Sequence, residues 1–298
     1  MSIGRAVGIW AGQVRAPFLL LSVVLAAIAG AAAHRDGAFH CLRFSLAAAG
    51  VVLAHVGVNL LNELSDHRTG IDERTARTPF SGGSGLLQAG LTTPRAVLAA
   101  AAGALLVALC IGVYLAWAAG WEVLAFAAAG GLAAVFYTSH LTRWGLGEIV
   151  AGLCLGTFPV LGTYWAQASA LPSHVIWVSI PPGILTALLL LLNEIPDAEA
   201  DRAGGRRHLV ILLGRRGAAS LYAIALAACY AVIVAGAAIG TLPGAVILGC
   251  LTLPLAVRAA VGAFRDAEDV PRLVPAMAAN VGVVIGTDLL IAVGYLVA

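Results

Sequence analysis

The sequence predicts an all-α protein whose helices cross a membrane many times. Of its 298 residues, 61% are hydrophobic and only 11% are charged, and the mean hydropathy is +0.96. Soluble domains carry about 25% charged residues. Apolar segments long enough to span a bilayer recur from end to end without a soluble block, so we expect one membrane domain over 1–298. The net charge of +2 is too small to indicate a nucleic-acid partner.

Nine spans are predicted, because a membrane-crossing helix needs roughly 20 mostly apolar residues. They cover about 16–33, 43–64, 96–118, 121–139, 146–168, 174–195, 217–240, 243–263 and 274–296. The segment before Arg15 is predicted to be an interfacial helix. Very short turns, at Gly120 and near Thr241, join the predicted spans on either side of them.

The distribution of basic residues predicts which side of the membrane each loop occupies. All 17 basic residues are Arg, and with nine spans only Arg35 and Arg43 fall on the second side. The first side receives the N-terminus and the loops near 65–95, 140–145, 196–216 and 264–273. The positive-inside bias assigns that side to the cytoplasm. We therefore expect a multi-pass protein of the cell (inner) membrane, embedded in the lipid bilayer, with its N-terminus and long loops cytoplasmic.

Two similar polar stretches end long apolar runs: "LLNELSD" at 60–66 and "LLNEIPD" at 191–197. Both end even-numbered predicted spans, so both are expected on the cytoplasmic side. This arrangement predicts two parallel pseudo-repeats, about 16–139 and 146–263, followed by a last helix. Inverted repeats, which many transporters use, would place the two stretches on opposite sides.

Polar residues at helical spacing form one stripe on the second predicted span and another on and beyond the sixth. The stripes are His55, Asn59, Asn62 with Glu63, and Asp66; and Thr186, Asn193, Asp197 and Asp201. Polar groups at membrane depth are costly and as a rule face a cavity. The two stripes therefore predict a cavity between the halves of the chain.

Acidic residues are concentrated at the ends of these stripes. Seven of the 15 acidic residues fall in two short windows: Glu63, Asp66 and Asp72, and Glu194, Asp197, Glu199 and Asp201. Gathered carboxylates repel one another unless a cation joins them, and Mg²⁺ is usually held by one or two carboxylates together with substrate phosphates. The pattern predicts two Mg²⁺ sites around one diphosphate. The alternative is that the acids pair with neighbouring Arg residues.

The two acidic stretches resemble the aspartate-rich motifs of the UbiA superfamily of intramembrane prenyltransferases. "NELSDHRTGID" (62–72) matches the first motif, with Glu63 where Asp is commoner, and "NEIPDAEAD" (193–201) matches the second. The six-residue spacing from Asp66 to Asp72 resembles the spacing in the branch of the superfamily that prenylates 1,4-dihydroxy-2-naphthoate for menaquinone. "YTSHLTRWGLGE" (137–148), "VLGTYWAQ" (160–167) and "GGRRHLVILLGRR" (204–216) also fit that branch. The Gly-rich "TPFSGGSGLLQAG" (78–90) departs from it.

The resemblance implies a helical bundle around a central cavity and a Mg²⁺-dependent transfer of a prenyl group from an isoprenyl diphosphate to an aromatic acceptor. The implied catalytic residues are Asp66, Asp72, Asp197 and Asp201. These four, with Asn62 and Glu63, are the expected ligands of two Mg²⁺ ions. Arg77, Arg143, Arg206 and Arg207 are the candidates for binding the diphosphate. His55, Asn59, Tyr137, Tyr164 and Asn193 are expected to line the cavity.

Two features keep alternatives open at this level. The loop Ser81–Gly85 could wrap backbone N–H groups around phosphate oxygens or could simply be a flexible connection. A terpene cyclase of the same superfamily would need the same acids but would quench the carbocation without an external acceptor. A parallel-repeat transporter is a more remote alternative, since the acids cluster at one mouth and no second gate is visible.

Overall fold

The computed structural model describes residues 2–75, 77–136 and 141–298, and every regular element in these ranges is a helix. In chain order the α-helices are α1 (Ile3–Gln13), α2 (Leu19–Arg35), α3 (Cys41–Thr69), α4 (Ile71–Arg74), α5 (Pro94–Ala119), α6 (Glu122–Phe136), α7 (Gly147–Gly152), α8 (Phe158–Ala168), α9 (Ser173–Val178), α10 (Ile180–Asn193), α11 (Ala198–Ala203), α12 (Leu209–Ala238), α13 (Leu253–Asp266) and α14 (Val270–Leu296). Short 3₁₀ segments cover Ala16–Phe18, Leu141–Arg143 and Gly244–Thr252, and a π-helical turn covers Leu153–Thr157.

Eight helical segments of the described chain are long and apolar enough to cross a membrane. They are Ala16–Arg35, Cys41–Thr69, Pro94–Ala119, Gly147–Ala168, Ser173–Asn193, Leu209–Ala238, Gly244–Asp266 and Val270–Leu296. Each corresponds to one predicted span. The ninth predicted span, about 121–139, corresponds to the shorter helix α6, and its last three residues lie outside the described ranges.

Ala119 and Thr142, on either side of α6, make contacts at opposite ends of the bundle. At one end the Ser169 hydroxyl, just after α8, donates to the Ala119 carbonyl oxygen at 2.6 Å. At the other end the backbone N–H of Arg207, in the loop before α12, donates to the Thr142 carbonyl oxygen at 2.9 Å. The segment from Ala119 to Thr142 therefore joins opposite ends of the bundle, which supports nine passes.

The observed bounds depart clearly from prediction at two places. Helix α3 continues to Thr69, five residues past the predicted end, and stops at Gly70, whose φ of 71° is the left-handed conformation that ends many helices. Helix α12 begins at Leu209 rather than near 217, because a short helical piece precedes a kink at Gly214 (φ 74°, ψ 162°). The apolar run between the two, "LVILL", is therefore helical and not loop.

Three membrane-crossing segments, which contain α2, α10 and α14, form the centre of the bundle. Helix α2 packs against α3, α8 and α14, and α10 packs against α12 and α14. About 61% of the α2 segment is buried, against 17% of α5, whose Trp117 is exposed on the outer surface. Small residues allow the π-helical turn to pack closely against α10, since a Cβ at Gly156 would lie 2.7 Å from the Gly183 Cα.

Candidate active site

A cavity of about 210 Å³ lies at the end of the bundle where α3 and α10 end. Ten of the predicted site residues line it: His55, Asn59, Asn62, Glu63, Asp66, Asp72, Asn193, Asp197, Asp201 and Arg206. Apolar residues also line it. They include Val58 on α3 and Leu189 and Leu190 on α10, which precede the polar ends of those helices, together with Phe18, Leu21 and Leu155. The cavity thus has an acidic mouth and an apolar interior.

The ends of two helices bring the acidic motifs together. Gly70 turns the chain after α3, so that α4 carries the buried Asp72 back beside the end of α3. Asp197 immediately precedes α11 and Asp201 lies on it. Because α11 packs against α4, motifs far apart in the sequence form one cluster.

Arg206 joins the two motifs directly. Its Nη1 donates to Asp201 Oδ1 at 2.8 Å, and its Nη2 donates to Asp66 Oδ1. Both are ion pairs of partly or fully buried side chains. A guanidinium therefore already compensates one carboxylate of each motif, which is the Arg pairing that the sequence left open.

The Gly-rich loop donates its N–H groups to the acidic motifs. Gly82 N donates to Asp197 Oδ2 at 3.2 Å, and Ser84 N donates to Glu63 Oε1 at 2.7 Å. Ser84 Oγ donates to Glu63 Oε2 at 2.6 Å. Gly83 has a φ of +67°, and a Cβ there would lie 2.7 Å from both carboxylate oxygens of Asp72. Only glycine fits at this point, so the loop is shaped to lie against the acids.

Burial and neighbouring carboxylates raise the pKa values of three acids at the mouth, Asp72, Glu194 and Asp197. Burial, and next the Asp201 carboxylate, raise the pKa of Asp197 to about 7. Burial, and next Glu63, raise the pKa of Asp72, although Gln88, Arg77 and Arg15 partly oppose this. Burial, and next Glu148, raise the pKa of Glu194 well above its usual range. A group of carboxylates with raised pKa values favours either bound protons or a bound cation.

Several oxygens at the second motif fit a bound metal ion. Asn193 Oδ1 and Asp197 Oδ1 are buried and have no hydrogen-bond partner among the described residues. Both side chains line the cavity. Carboxylate and amide oxygens are the ligands that Mg²⁺ and Ca²⁺ prefer, so the donor set fits a hard divalent cation.

Four of the described residues that were predicted for the site do not line the cavity. Arg77 is exposed and holds the Gly-rich loop, with Nε donating to the Gly82 carbonyl oxygen at 3.2 Å. Arg143 and Arg207 are exposed and do not line the cavity. Tyr164 lies at the opposite end of the bundle, where its hydroxyl donates to Asp36 Oδ2 at 2.6 Å, so it does not line this cavity. Tyr137 lies outside the described residues.

Two cavity-lining predictions are matched by side chains tied to the N-terminal segment. His55 Nδ1 is hydrogen-bonded to Ser22 Oγ at 2.8 Å, and Asn59 Nδ2 donates to the Val14 carbonyl oxygen at 2.9 Å. These two bonds fix the stripe on α3 against α2 and the turn that precedes α2. The stripe is therefore both a cavity wall and a packing surface.

Sequence reasoning missed the contribution of the N-terminal segment. Arg15 lines the cavity, its Nη2 donates to the Phe80 carbonyl oxygen at 3.0 Å, and its guanidinium lies 4.9 Å from the Phe18 ring centroid. The fully buried Gln13 donates to Glu63 Oε2 at 3.2 Å. The available signal was a polar pair, Gln13 and Arg15, placed where an amphipathic helix meets the first span.

Comparison with known sequences gives several similar proteins. A 1,4-dihydroxy-2-naphthoate octaprenyltransferase of Bacillus subtilis is 32% identical over 178 residues, which is 59% of this chain and 56% of the relative. The enzyme of the same name from Mycobacterium tuberculosis is 30% identical over 242 residues, 78% of this chain and 77% of the relative. A 2-carboxy-1,4-naphthoquinone phytyltransferase of Synechocystis sp. is 23% identical, covering 87% of this chain and 84% of the relative.

Solved structures show the same fold. A UbiA homolog from Aeropyrum pernix K1, in its apo form, superposes with a TM-score of 0.70 at 22% identity, covering 94% of this chain and 98% of that one. A UbiA homolog from Archaeoglobus fulgidus, bound to GPP and Mg²⁺, gives 0.66 at 12% identity, covering 97% and 100%. Residues 23–280 match the UbiA prenyltransferase family. The chain therefore belongs to the UbiA prenyltransferase family, as its two aspartate-rich motifs predict.

Proposed function

We propose that this protein is a Mg²⁺-dependent intramembrane prenyltransferase that transfers an isoprenyl group from its diphosphate to an aromatic acceptor. The observation that carries the proposal is the cavity, in which two acidic motifs face each other at the mouth of an apolar interior. An isoprenyl diphosphate has the same division, a highly charged head and an apolar tail. The names of the similar proteins, which are naphthoate and naphthoquinone prenyltransferases, favour 1,4-dihydroxy-2-naphthoate as the acceptor.

The proposed metal ligands are Asp66 and Asp72 on one side and Asp197 and Asp201 on the other, with Asn62 assisting. When bound there, Mg²⁺ would neutralise charge on the diphosphate leaving group. Two ions match the two motifs. Glu63 is the exception among the predicted ligands, because both of its oxygens already accept hydrogen bonds from Gln13 or Ser84. We propose that Glu63 positions the Gly-rich loop and does not bind metal.

The reaction requires the C–O bond of the allylic diphosphate to break and its electrons to leave with the diphosphate. The chain's own contribution is to place positive charge and N–H donors where that negative charge develops. Arg206 and Arg15 line the mouth and can turn toward the diphosphate. The apolar walls, including Phe18 and Leu189, exclude water from the carbocation until the aromatic ring supplies the electron pair for the new C–C bond. The attacked ring carbon then loses its proton, or its carboxylate as CO₂, and the electron pair of that broken bond restores the aromatic ring.

The proposal is tested by product analysis. Purified protein is incubated with Mg²⁺, prenyl diphosphates of graded length and 1,4-dihydroxy-2-naphthoate, and products are identified by mass spectrometry. We expect a prenylated naphthoate that disappears when Mg²⁺ is chelated. A hydrocarbon or alcohol formed equally well without the acceptor would indicate the cyclase alternative. No prenylated naphthoate with any donor would refute the acceptor assignment.

We further propose that the mouth of the cavity faces the cytoplasm of the cell and that the two chain ends lie on opposite sides of the membrane. The bias of Arg toward the mouth side supports the first part, and the nine passes support the second. Alkaline phosphatase, which is active only outside the cytoplasm, is fused after Ala298 and, separately, after Arg68. We expect activity only for the Ala298 fusion, and the reverse pattern would overturn the orientation.

A further inference from the structure

A second cluster of side chains of the types that bind metals lies at the wall of the cavity. Glu148 at the start of α7, Glu194 just after α10 and His208 just before α12 place one ligand atom each within 4.8 Å of one another. The three residues are 2%, 8% and 1% exposed. Glu194 also lines the cavity, whereas Glu148 and His208 do not, and none of the three is a predicted Mg²⁺ ligand.

Each member of the cluster has an atom that lacks a hydrogen-bond partner within the described chain. These atoms are Glu148 Oε2, Glu194 Oε2 and His208 Nδ1. The other atoms are engaged: Leu209 N donates to Glu148 Oε1 at 2.7 Å. Buried polar atoms are nearly always partnered, because leaving them bare costs the full desolvation free energy. Three buried side chains that approach within 4.8 Å of one another, each with an unpartnered polar atom, indicate an occupant.

The hydrogen bond between His208 and Asp201 prepares the imidazole to bind a metal. His208 Nε2 lies 3.1 Å from Asp201 Oδ2, and an ionised Asp201 requires the proton on that nitrogen. The lone pair is then on Nδ1, which lies 3.8 Å from Glu194 Oε2. Metal-binding histidines typically donate their other ring N–H to a carboxylate, which fixes the tautomer and the ring orientation.

The excess of carboxyl groups around the cluster also favours a bound cation. Glu148, Glu194 and Asp201 contribute carboxyl groups, and the nearby guanidinium of Arg206 is shared between Asp201 and Asp66. Buried carboxylates that are not paired must take up protons or bind a metal. A proton shared by Glu148 and Glu194 would leave the Nδ1 lone pair of His208 without a partner, whereas a metal ion would engage all three atoms.

We propose that Glu148, Glu194 and His208 bind a divalent transition metal ion, Zn²⁺ or Mn²⁺, at a site distinct from the Mg²⁺ sites of the cavity. One imidazole with two carboxylates fits these ions, because imidazole disfavours Mg²⁺ and Ca²⁺. Metal–ligand bonds of about 2.0–2.2 Å would draw the three side chains slightly closer. The ion would join the starts of α7 and α12 to the end of α10 and so hold Asp201 through His208.

The site is tested on the full-length protein in detergent by metal content. Chelator-treated protein is loaded with Co²⁺, a spectroscopic substitute for Zn²⁺, in excess Mg²⁺, and is then gel-filtered. We expect about one Co²⁺ per chain to be retained, with visible d–d absorption and an X-ray absorption spectrum that contains one imidazole. The same retention is expected in Asp197→Asn, which separates this site from the metals used in prenyl transfer.

Two variants and a matched control make the assignment specific. Glu148→Gln keeps the acceptor for the Leu209 N–H but removes the charge, and His208→Ala removes the nitrogen ligand. Each is expected to bind Co²⁺ at least ten-fold more weakly than the unaltered protein while eluting as the same monodisperse species. Glu199→Gln, on the neighbouring α11 with a side chain 85% exposed, is expected to bind Co²⁺ normally.

Two results would overturn the proposal. One is an unaltered protein from which excess Mg²⁺ displaces all Co²⁺, which would leave a proton shared by the two glutamates as the occupant. The other is full Co²⁺ retention in both Glu148→Gln and His208→Ala. The first result needs no variant, and full Co²⁺ retention in the second would itself show that the variants are folded. Neither result bears on the prenyl-transfer proposal.

Discussion

The two acidic motifs are alike in sequence but differ in how the protein satisfies them. At the first motif both oxygens of Glu63 accept hydrogen bonds from Gln13 or Ser84, and Asp72 accepts one from Gln88 Nε2 at 3.1 Å. At the second motif Asn193 Oδ1 and Asp197 Oδ1 are buried without partners among the described residues. Most acceptor oxygens described at the first motif thus already accept hydrogen bonds from protein donors. The second motif, called the open motif below, has acceptor oxygens without such a donor.

This difference indicates that the two motifs have different roles. Acceptors already bonded to Gln13, Ser84 and Gln88 hold a loop in place, whereas open acceptors gain most from an incoming cation. The Gly-rich loop connects the two, because its Gly82 N–H reaches across to Asp197. We therefore expect Asp197 of the second motif to respond most strongly to loss of charge, and Glu63 of the first motif to loss of shape.

The largest effect is expected from Asp197→Asn. The substitution preserves the size of the side chain but removes the charge at the open motif, where developing negative charge must be balanced. We expect prenyl transfer to fall by about 10²-fold or more, as when a group that stabilises the transition state is removed. The measurement is the rate of product formation at saturating Mg²⁺. Asp66→Asn should lose activity on the same scale.

The control for this prediction is Glu199→Gln. Glu199 lies two residues from Asp197 but its side chain is 85% exposed and is paired with Arg215, so activity should stay within about two-fold. All variants should insert in the membrane and elute at the same volume. Full activity in Asp197→Asn would contradict the role of the open motif.

A smaller effect is expected at Glu63, which separates a loop anchor from a metal ligand. Glu63→Gln replaces an acceptor with an NH₂ group that faces the donors Gln13 Nε2 and Ser84 Oγ. We expect activity to fall by about 10–100-fold, as for residues that orient the groups of a metal site without binding the metal. We also expect faster proteolysis within 78–90. Direct Mn²⁺ binding, measured by electron paramagnetic resonance, should change little.

Ser84→Ala is the matched control, since it removes one hydrogen bond to Glu63 but retains the Ser84 N–H bond at 2.7 Å. Its loss of activity should be clearly less than that of Glu63→Gln. If Glu63→Gln instead abolishes Mn²⁺ binding as fully as Asp197→Asn does, then Glu63 is a metal ligand, as the sequence alone predicts, and the two motifs are equivalent.

Arg206→Gln tests the connection between the motifs. Without the guanidinium, Asp66 and the buried Asp201 repel each other across the mouth. Removing one partner of a buried pair is destabilising because the other charge is left uncompensated. We expect the thermal midpoint in Mg²⁺-free buffer to fall by about 5 °C, and millimolar Mg²⁺ to restore most of the loss. A midpoint that Mg²⁺ does not restore would show that no cation can replace Arg206 between the motifs.

The sequence predicts the fold and most of the site, and the misses have physical causes. Long apolar segments determine where helices cross, so eight predicted spans recur as long apolar helices. Helical spacing places His55, Asn59 and Asp66 on one face, and all three line the cavity. Tyr164 was assigned to the cavity by a motif match, but a motif does not show which end of a helix a residue lies on. Gln13 and Arg15 act through contacts 50 to 65 residues away in sequence, and no local pattern reports such contacts.

The smallest expected effect is a pH dependence that arises at the second motif. Burial and Asp201 raise the pKa of Asp197 to about 7 in the metal-free protein, so below pH 7 a metal ion must displace the proton from this carboxyl group. Since one proton is released, the apparent Kd for Mn²⁺ should fall by at most about ten-fold per pH unit between pH 6 and 7 and level off near pH 8. The titration is done without diphosphate, whose own protons would contribute. An affinity that is constant from pH 6 to 8 would mean that Asp197 stays ionised throughout, and the open motif would then need no cation to hold its charge.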